Sequence, residues 1–184
     1  MIEKKIELAD EVEASFDSNV LTIKGKLGEI KREFSYPLIN LEVKDKTIIV
    51  SSSKDRKKQK AIVGAWTARA NNMIRGVNKP FVYKLKLVFS HFPMKVKIEN
   101  NRIIVSNYLG GKGVREVKIK EDVEVKMLKE GSSEYLTVES TNKEHAGLYA
   151  AKIERLCVAK NKDRRVFQDG IYLIEKPGKG NKSD

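Results

Sequence analysis

The chain has 184 residues, 40% of them hydrophobic, enough for one ordinary domain or two small ones with real cores. Its 37 Lys and Arg outweigh 25 Asp and Glu, and the resulting net charge of +12 favours a polyanionic partner. A single cysteine, Cys157, excludes an internal disulfide and a cysteine-based zinc cluster, and no apolar run approaches the roughly 20 residues of a membrane span. The acidic start Met1–Asp10 lacks the basic and apolar regions of a signal peptide, so the chain reads as cytosolic.

In chain order, Leu21 and Ile23, Leu41 and Val43, then Ile48 and Val50 alternate with polar neighbours and predict short strands with one buried face. Lys54, Arg56, Lys57, Lys58 and Lys60, offset only by Asp55, precede a run in which Val63, Trp66, Ala70, Met73, Ile74 and Val77 recur at helical spacing. Gly76 stands where that helix could end. After Pro80, Tyr83, Leu85 and Leu87 open a new alternating run, which puts a domain boundary near residue 81. Gly110-Gly111-Lys112-Gly113 has neither the P-loop nor the dinucleotide-binding spacing, and Val114 to Ile119 behind it alternate like a strand. The segment reads as a hairpin turn in which Lys112 and Arg115 can meet a nucleic-acid backbone. Thr141-Asn142-Lys143-Glu144 fits a capping box ahead of a second helical stripe of Tyr149, Ile153, Leu156 and Cys157. Lys160, Lys162, Arg164 and Arg165 crowd the exit of that helix and lead through Val166-Phe167 and a turn-like Gln168-Asp169-Gly170 into a strand at Ile171-Tyr172-Leu173. The remainder, 177–184, is rich in Gly, Lys and Ser and is expected to be a flexible basic tail.

The two halves also align with one another. Asn19, Leu21, Ile23, Leu27 and Gly28 fall on Asn101, Ile103, Val105, Leu109 and Gly110, and Arg32-Glu33-Phe34 falls on Arg115-Glu116-Val117 after one insertion. Leu41 and Val43 then match Val123 and Val125, Ile48 and Val50 match Leu136 and Val138, and Gly64, Trp66 and Ala68 match Gly147, Tyr149 and Ala151. Each half thus predicts a small sheet covered by one helix. Residues 1–81 carry 16 basic and 11 acidic side chains and the remainder 21 and 14, so the halves are +5 and +7.

Signs of catalysis are missing from this pattern. His91 and His145 have no spacing that would place two imidazoles on one metal, and Cys157 falls in an apolar helical stripe, where a buried thiol is the ordinary reading. Phe34, Trp66, Phe81, Tyr83 and Tyr149 sit in strand or helix patterns and read as core, which leaves no stacking platform of the single-strand RNA-binding kind.

Certain stretches resemble a known family. Ile23-Lys24-Gly25-Lys26-Leu27-Gly28 ahead of Arg32-Glu33-Phe34, and Asn71-Asn72-Met73-Ile74-Arg75-Gly76-Val77, resemble large-subunit ribosomal protein six. Asn107-Tyr108-Leu109-Gly110 before Val114-Arg115, and the run from Lys162 to Tyr172, resemble its archaeal and eukaryotic branch, whose eukaryotic members are numbered nine. The resemblance covers nearly the whole chain, although bacterial members carry Gly-Lys-Gly where Gln168-Asp169-Gly170 stands.

It implies an α+β fold of two tandem copies of a small β-sheet unit, each packed against one main α-helix. Residues 1–81 would form the first copy, 82–176 the second and main rRNA-binding domain, and 177–184 the tail. It also implies a cytoplasmic place in the large ribosomal subunit, on 23S-type rRNA near the sarcin-ricin loop and beside neighbouring ribosomal proteins at the stalk base. No catalytic activity, cofactor, metal, membrane or small-molecule substrate goes with it. The RNA-facing candidates are Gly110, Gly111, Lys112 and Arg115 in the turn, Asn142 and Lys143 at the second helix start, and Lys160, Lys162, Arg164 and Arg165 beyond it. Two other classes share the basic charge. An RNA-modifying enzyme would show a nucleophile, cofactor loop or metal cluster, and a free-standing RNA- or DNA-binding regulator would show a helix-turn-helix or stacking motif.

Overall fold

The computed structural model describes residues 2–9 and 11–178, and of the expected basic tail residues 179–184 lie outside the described residues. The chain divides into two compact units, Met1–Pro80 with Thr141–Lys143, and Phe81–Ser140 with Glu144–Asp184.

The first unit runs β1 (Ile2–Glu7), β2 (Glu13–Asp17), β3 (Val20–Gly25), β4 (Gly28–Glu33), β5 (Ile39–Lys44), β6 (Thr47–Ser52) and α1 (Lys57–Asn78). Its antiparallel sheets have the orders β1-β6-β5 and β2-β3-β4. The period-2 pattern sends Leu21, Ile23, Leu41, Ile48 and Val50 inward, where the α1 stripe Val63, Trp66, Ala70, Met73 and Val77 covers them. Trp66 meets Phe34 edge to face at 5.1 Å. Gly76 does not end this helix. It is buried inside the last turn, and α1 runs on to Asn78 before Lys79 turns extended, as a residue ahead of a proline must.

The β3–β4 turn docks on the end of α1. The Leu27 N–H donates to the otherwise orphan carbonyl of Val77 at 2.9 Å, and Gly25 comes so close that a Cβ there would lie 2.6 Å from a Val77 methyl. Gly25→Ala should therefore cost about 1–3 kcal/mol by overpacking, read as a lower midpoint of the Trp66 fluorescence melt. An unchanged midpoint would mean that the turn can lift off α1 without penalty.

The second unit runs β7 (Phe81–Val88), β8 (Lys95–Glu99), β9 (Arg102–Ser106), β10 (Arg115–Lys118), β11 (Glu124–Glu130), β12 (Ser133–Ser140), α2 (Lys143–Leu156) and β13 (Gly170–Glu175). Its sheets are β10-β9-β8 and β11-β12-β7-β13. The order β11-β12-β7 repeats β5-β6-β1, so the duplication is present in the topology, with β13 added on the edge that β1 leaves open. The inner faces carry Leu85, Ile103, Val105, Leu136, Val138 and Ile171, with Tyr149, Ala150 and Ile153 of α2, and Cys157 just past its end, against them. The helix begins at Lys143, which makes Asn142 rather than Thr141 the residue ahead of its first turn.

Equivalent bonds close the matching hairpins: Phe34 N–H to the Asn19 carbonyl, and Ile119 N–H to the Asn101 carbonyl, both at 2.7 Å. Asn19 and Asn101 are both left-handed, at φ 64° and 56°. One part of the sequence alignment is corrected. Arg32 stands across from Leu21 as Val117 stands across from Ile103, so Arg32 corresponds to Val117 and not to Arg115. The connection between β9 and β10 is longer than its counterpart, and sequence similarity alone put the gap in the wrong place.

Candidate nucleic-acid interface

Where Lys26 and Leu27 suffice to join β3 to β4, residues 107–114 join β9 to β10. The glycine segment is thus not a tight hairpin turn, although the strands on either side do pair. A short 3-10 turn, Tyr108–Gly110, is bracketed by left-handed backbone at Asn107, Leu109 and Gly110. Such backbone at non-glycine residues persists only where its surroundings hold it. Asn107 Nδ2 donates to the Pro93 carbonyl at 2.9 Å, and the Tyr108 hydroxyl donates to the Asp169 carbonyl at 3.1 Å. Gly110, at φ 73°, has the Phe92 ring directly over it, three ring carbons lying 3.3 Å from where a Cβ would be. Only glycine meets both conditions there.

Arg115 is half-buried and turned inward. Its Nη1 donates to the Leu156 carbonyl at 2.5 Å, satisfying a terminal carbonyl of α2, and its guanidinium lies 4.4 Å from the centre of the Tyr108 ring. The side chain read from sequence as a phosphate contact is here a tie between the glycine loop and the helix end.

The basic loop 158–169 leaves that same helix end and is anchored where it re-enters the sheet. Asp169 is 7% exposed; its Oδ1 accepts the Ser90 N–H at 3.3 Å while its carbonyl accepts from Tyr108. Within the loop, Asp163 accepts from Arg165 at both carboxylate oxygens, which holds the carboxyl below its usual range, and its carbonyl receives the N–H of Val166 and of Phe167. Lys162 rests 4.5 Å from the centre of the Phe167 ring. Lys160, Lys162, Arg164 and Arg165 are all exposed on this scaffold, as are Gly110, Gly111 and Lys112.

Three loops, 89–94, 107–114 and 158–169, are therefore joined at one place in the second unit. Asn142 and Lys143 are not part of it. They stand at the first turn of α2, a helix of 14 residues, about 20 Å from the end that carries the basic loop. Sequence reasoning missed the Ser90-His91-Phe92 segment, where two exposed rings meet edge to face at 5.7 Å, and the tying roles of Tyr108 and Asp169. No periodic signal marks a bond between residues as far apart in sequence as Ser90 and Asp169.

The other basic cluster surrounds the first turn of α1, which contains no acidic residue and whose N-cap, Arg56, makes no side-chain cap bond. Lys60 pairs with Asp55 at 3.0 Å and Lys58 lies 5.8 Å from the centre of the Tyr36 ring. Burial pushes the Cys157 thiol up to about 11, so it is protonated and poorly nucleophilic at neutral pH. His145 hydrogen-bonds Asp122 through Nδ1. Among the described residues no group of His, Cys, Asp and Glu could hold a metal, and no helix is long and apolar enough to cross a membrane.

The family model for ribosomal protein L6 matches residues 9–79 and 92–170. The large ribosomal subunit protein uL6 of Nanoarchaeum equitans is 39% identical over 183 residues, covering 97% of this chain and 95% of that one. The protein of the same name from Methanococcus vannielii is 38% identical over 97% of this chain and 96% of its own length, and that of Methanosarcina mazei 39% identical over 95% and 97%. The paired matches fall one on each repeat, and with relatives similar over nearly their whole length they establish that the chain belongs to the ribosomal protein L6 family.

Proposed function

We propose that this chain is a structural, non-enzymatic constituent of the large ribosomal subunit, working in the cytoplasm as part of the ribosome, and that its second unit is the main rRNA-binding domain. The RNA would be of the 23S type, contacted near the sarcin-ricin loop, with neighbouring ribosomal proteins at the stalk base as further partners. Family membership supports the ribosomal role. One observation supports the RNA surface: a basic loop tied to the fold through Asp169 and Tyr108 still exposes Lys160, Lys162 and Arg164. Cations held on a rigid support lose less freedom on meeting phosphates than cations on a free loop.

Co-sedimentation with large subunits through a high-salt wash tests the ribosomal role, and loss of the protein into the supernatant would count against it. Arg164→Ala/Arg165→Ala and Lys57→Ala/Lys58→Ala, each confirmed folded by melting, should then be compared in competition for subunit incorporation. Both remove two charges, so generic electrostatics predicts equal losses. The arginine pair should lose about tenfold more, and the opposite order would move the main surface to the first unit.

A further inference from the structure

We propose that a cleft beside the basic loop seats one unpaired nucleotide of the bound RNA, with Tyr172 against the base and Arg164 on its phosphate. This rests on the reading of the loop cluster as an RNA surface and adds what kind of RNA element it takes. The cleft, which opens broadly to solvent, is lined by Val88, Arg164, Gln168 and Tyr172.

Each polar member of this lining is either fixed in place or left over. The Tyr172 ring rests on Gly170, two ring carbons lying 3.1 Å from where a Cβ would be, and its hydroxyl donates to the Gln168 carbonyl at 2.8 Å. Both contacts act on the hydroxyl end of the ring and together orient its plane. Gln168 donates from Nε2 to the Arg165 carbonyl at 3.1 Å; since only the amide nitrogen can do this, Oε1 is set as the acceptor left for a ligand.

The cations of the neighbourhood differ in the same way. Arg165 is held by Asp163, Lys162 lies on Phe167, and Arg115 is turned to Leu156. Among the described residues no hydrogen bond or ion pair engages Arg164, which is exposed at the rim of the cleft.

A bare phosphate site needs only the cation. A fixed aromatic ring and a fixed amide acceptor add the face and the edge that an unstacked base requires, and single-stranded bases splayed from loops are the elements proteins read in RNA. An acceptor at that edge takes an N–H of the base, the exocyclic amino group of adenine or cytosine or the ring N3–H of uracil, none of which inorganic phosphate offers. Val88 is the one aliphatic residue in the lining, which offers little to anchor a protein segment.

The full chain, isotope-labelled, should be titrated with AMP, CMP, UMP and inorganic phosphate while the Gln168 side-chain amide and Tyr172 ring resonances are followed. All three nucleotides should move both and bind about fivefold to tenfold more tightly than inorganic phosphate, as one added hydrogen bond allows. Gln168→Ala, at an exposed position, should reduce that margin, and Arg164→Ala should weaken the nucleotides and inorganic phosphate alike. Identical shifts and affinity from inorganic phosphate would overturn the base seat and leave only an anion site.

A second arm uses a large-subunit rRNA fragment. Tyr172→Leu should weaken its binding roughly tenfold, the size of one base–aromatic stack, while Tyr172→Phe, which keeps the ring, should lose much less. Normal rRNA affinity in folded Tyr172→Leu would refute the seat while leaving the RNA surface standing, and normal affinity with failed subunit incorporation would assign the cleft to a protein neighbour instead. If the unaltered chain does not bind the fragment, the underlying reading fails and the seat with it.

Discussion

Raising salt from about 50 to 200 mM should weaken binding to a large-subunit rRNA fragment on the order of 10³-fold, if about six phosphates are contacted. The number follows from what the second unit exposes. Lys112, Lys160, Lys162, Arg164 and Arg165 stand on the joined loops, and exposed Lys95 opens β8 immediately after the 89–94 segment. Each cation that meets a phosphate releases a condensed counterion, and the released ions set the slope of affinity against salt. Lys112→Ala and Lys160→Ala together should lower that slope by about 2, because each removes roughly one phosphate contact. Arg115→Ala should act differently: its guanidinium is held by Leu156 and Tyr108, so its loss should lower stability and leave the slope nearly unchanged. A salt-independent affinity would remove the electrostatic account, and a slope that falls by about 1 with Arg115→Ala would mean that the side chain swings out to meet RNA.

That contrast marks where sequence reading stops. Arg115 and Arg164 are equally basic residues in equally polar stretches, and nothing local separates them. What separates them is the Leu156 carbonyl and the Tyr108 ring, which reach Arg115 from a helix end and a loop brought near only by folding. The strands and helices were far more legible. Leu21, Ile23, Ile48 and Val50 repeat at period 2, Val63, Trp66, Ala70, Met73 and Val77 at helical period, and all of them are buried. Both signals arise from the regular direction of successive side chains, so they survive whatever the tertiary arrangement is.

Where regularity ends, the reading slipped. Gly76 looked like a terminator because glycine often is one, yet the constraint from Pro80 ends α1 two residues later. Similar residues at Arg32-Glu33-Phe34 and Arg115-Glu116-Val117 hid a longer loop, which only strand pairing reveals. Phe92 was invisible for the same reason. Its ring is exposed among loops and has meaning only beside Gly110, a residue from another hairpin.

Leu85→Ala should unfold the second unit at a temperature on the order of 10–20 °C lower while leaving the Trp66 fluorescence transition in place. Leu85 is fully buried on β7, which has partners on both sides, and it stands across from Leu136 of β12 and Leu173 of β13. Truncating a buried leucine costs about 2–5 kcal/mol, through lost transfer energy and the cavity left behind. For a domain of this size each kcal/mol shifts the midpoint by roughly 4–8 °C, and the loss is a large share of the ~5–15 kcal/mol that holds a domain folded. The tryptophan makes the experiment selective: the chain has one, Trp66, and it lies in the core of the first unit. The two cores are separate clusters of buried residues, and Leu85 belongs to the second. Leu21→Ala should give the mirror result, shifting Trp66 fluorescence and sparing the second unit. RNA binding then supplies an independent reading of the same energetics. At a temperature between the two midpoints of Leu85→Ala, rRNA affinity should fall with the folded fraction of the second unit, whereas Leu21→Ala should bind almost normally. A Trp66 transition that moves together with the second unit would show one cooperative fold, in which the duplicated halves no longer behave as separate domains.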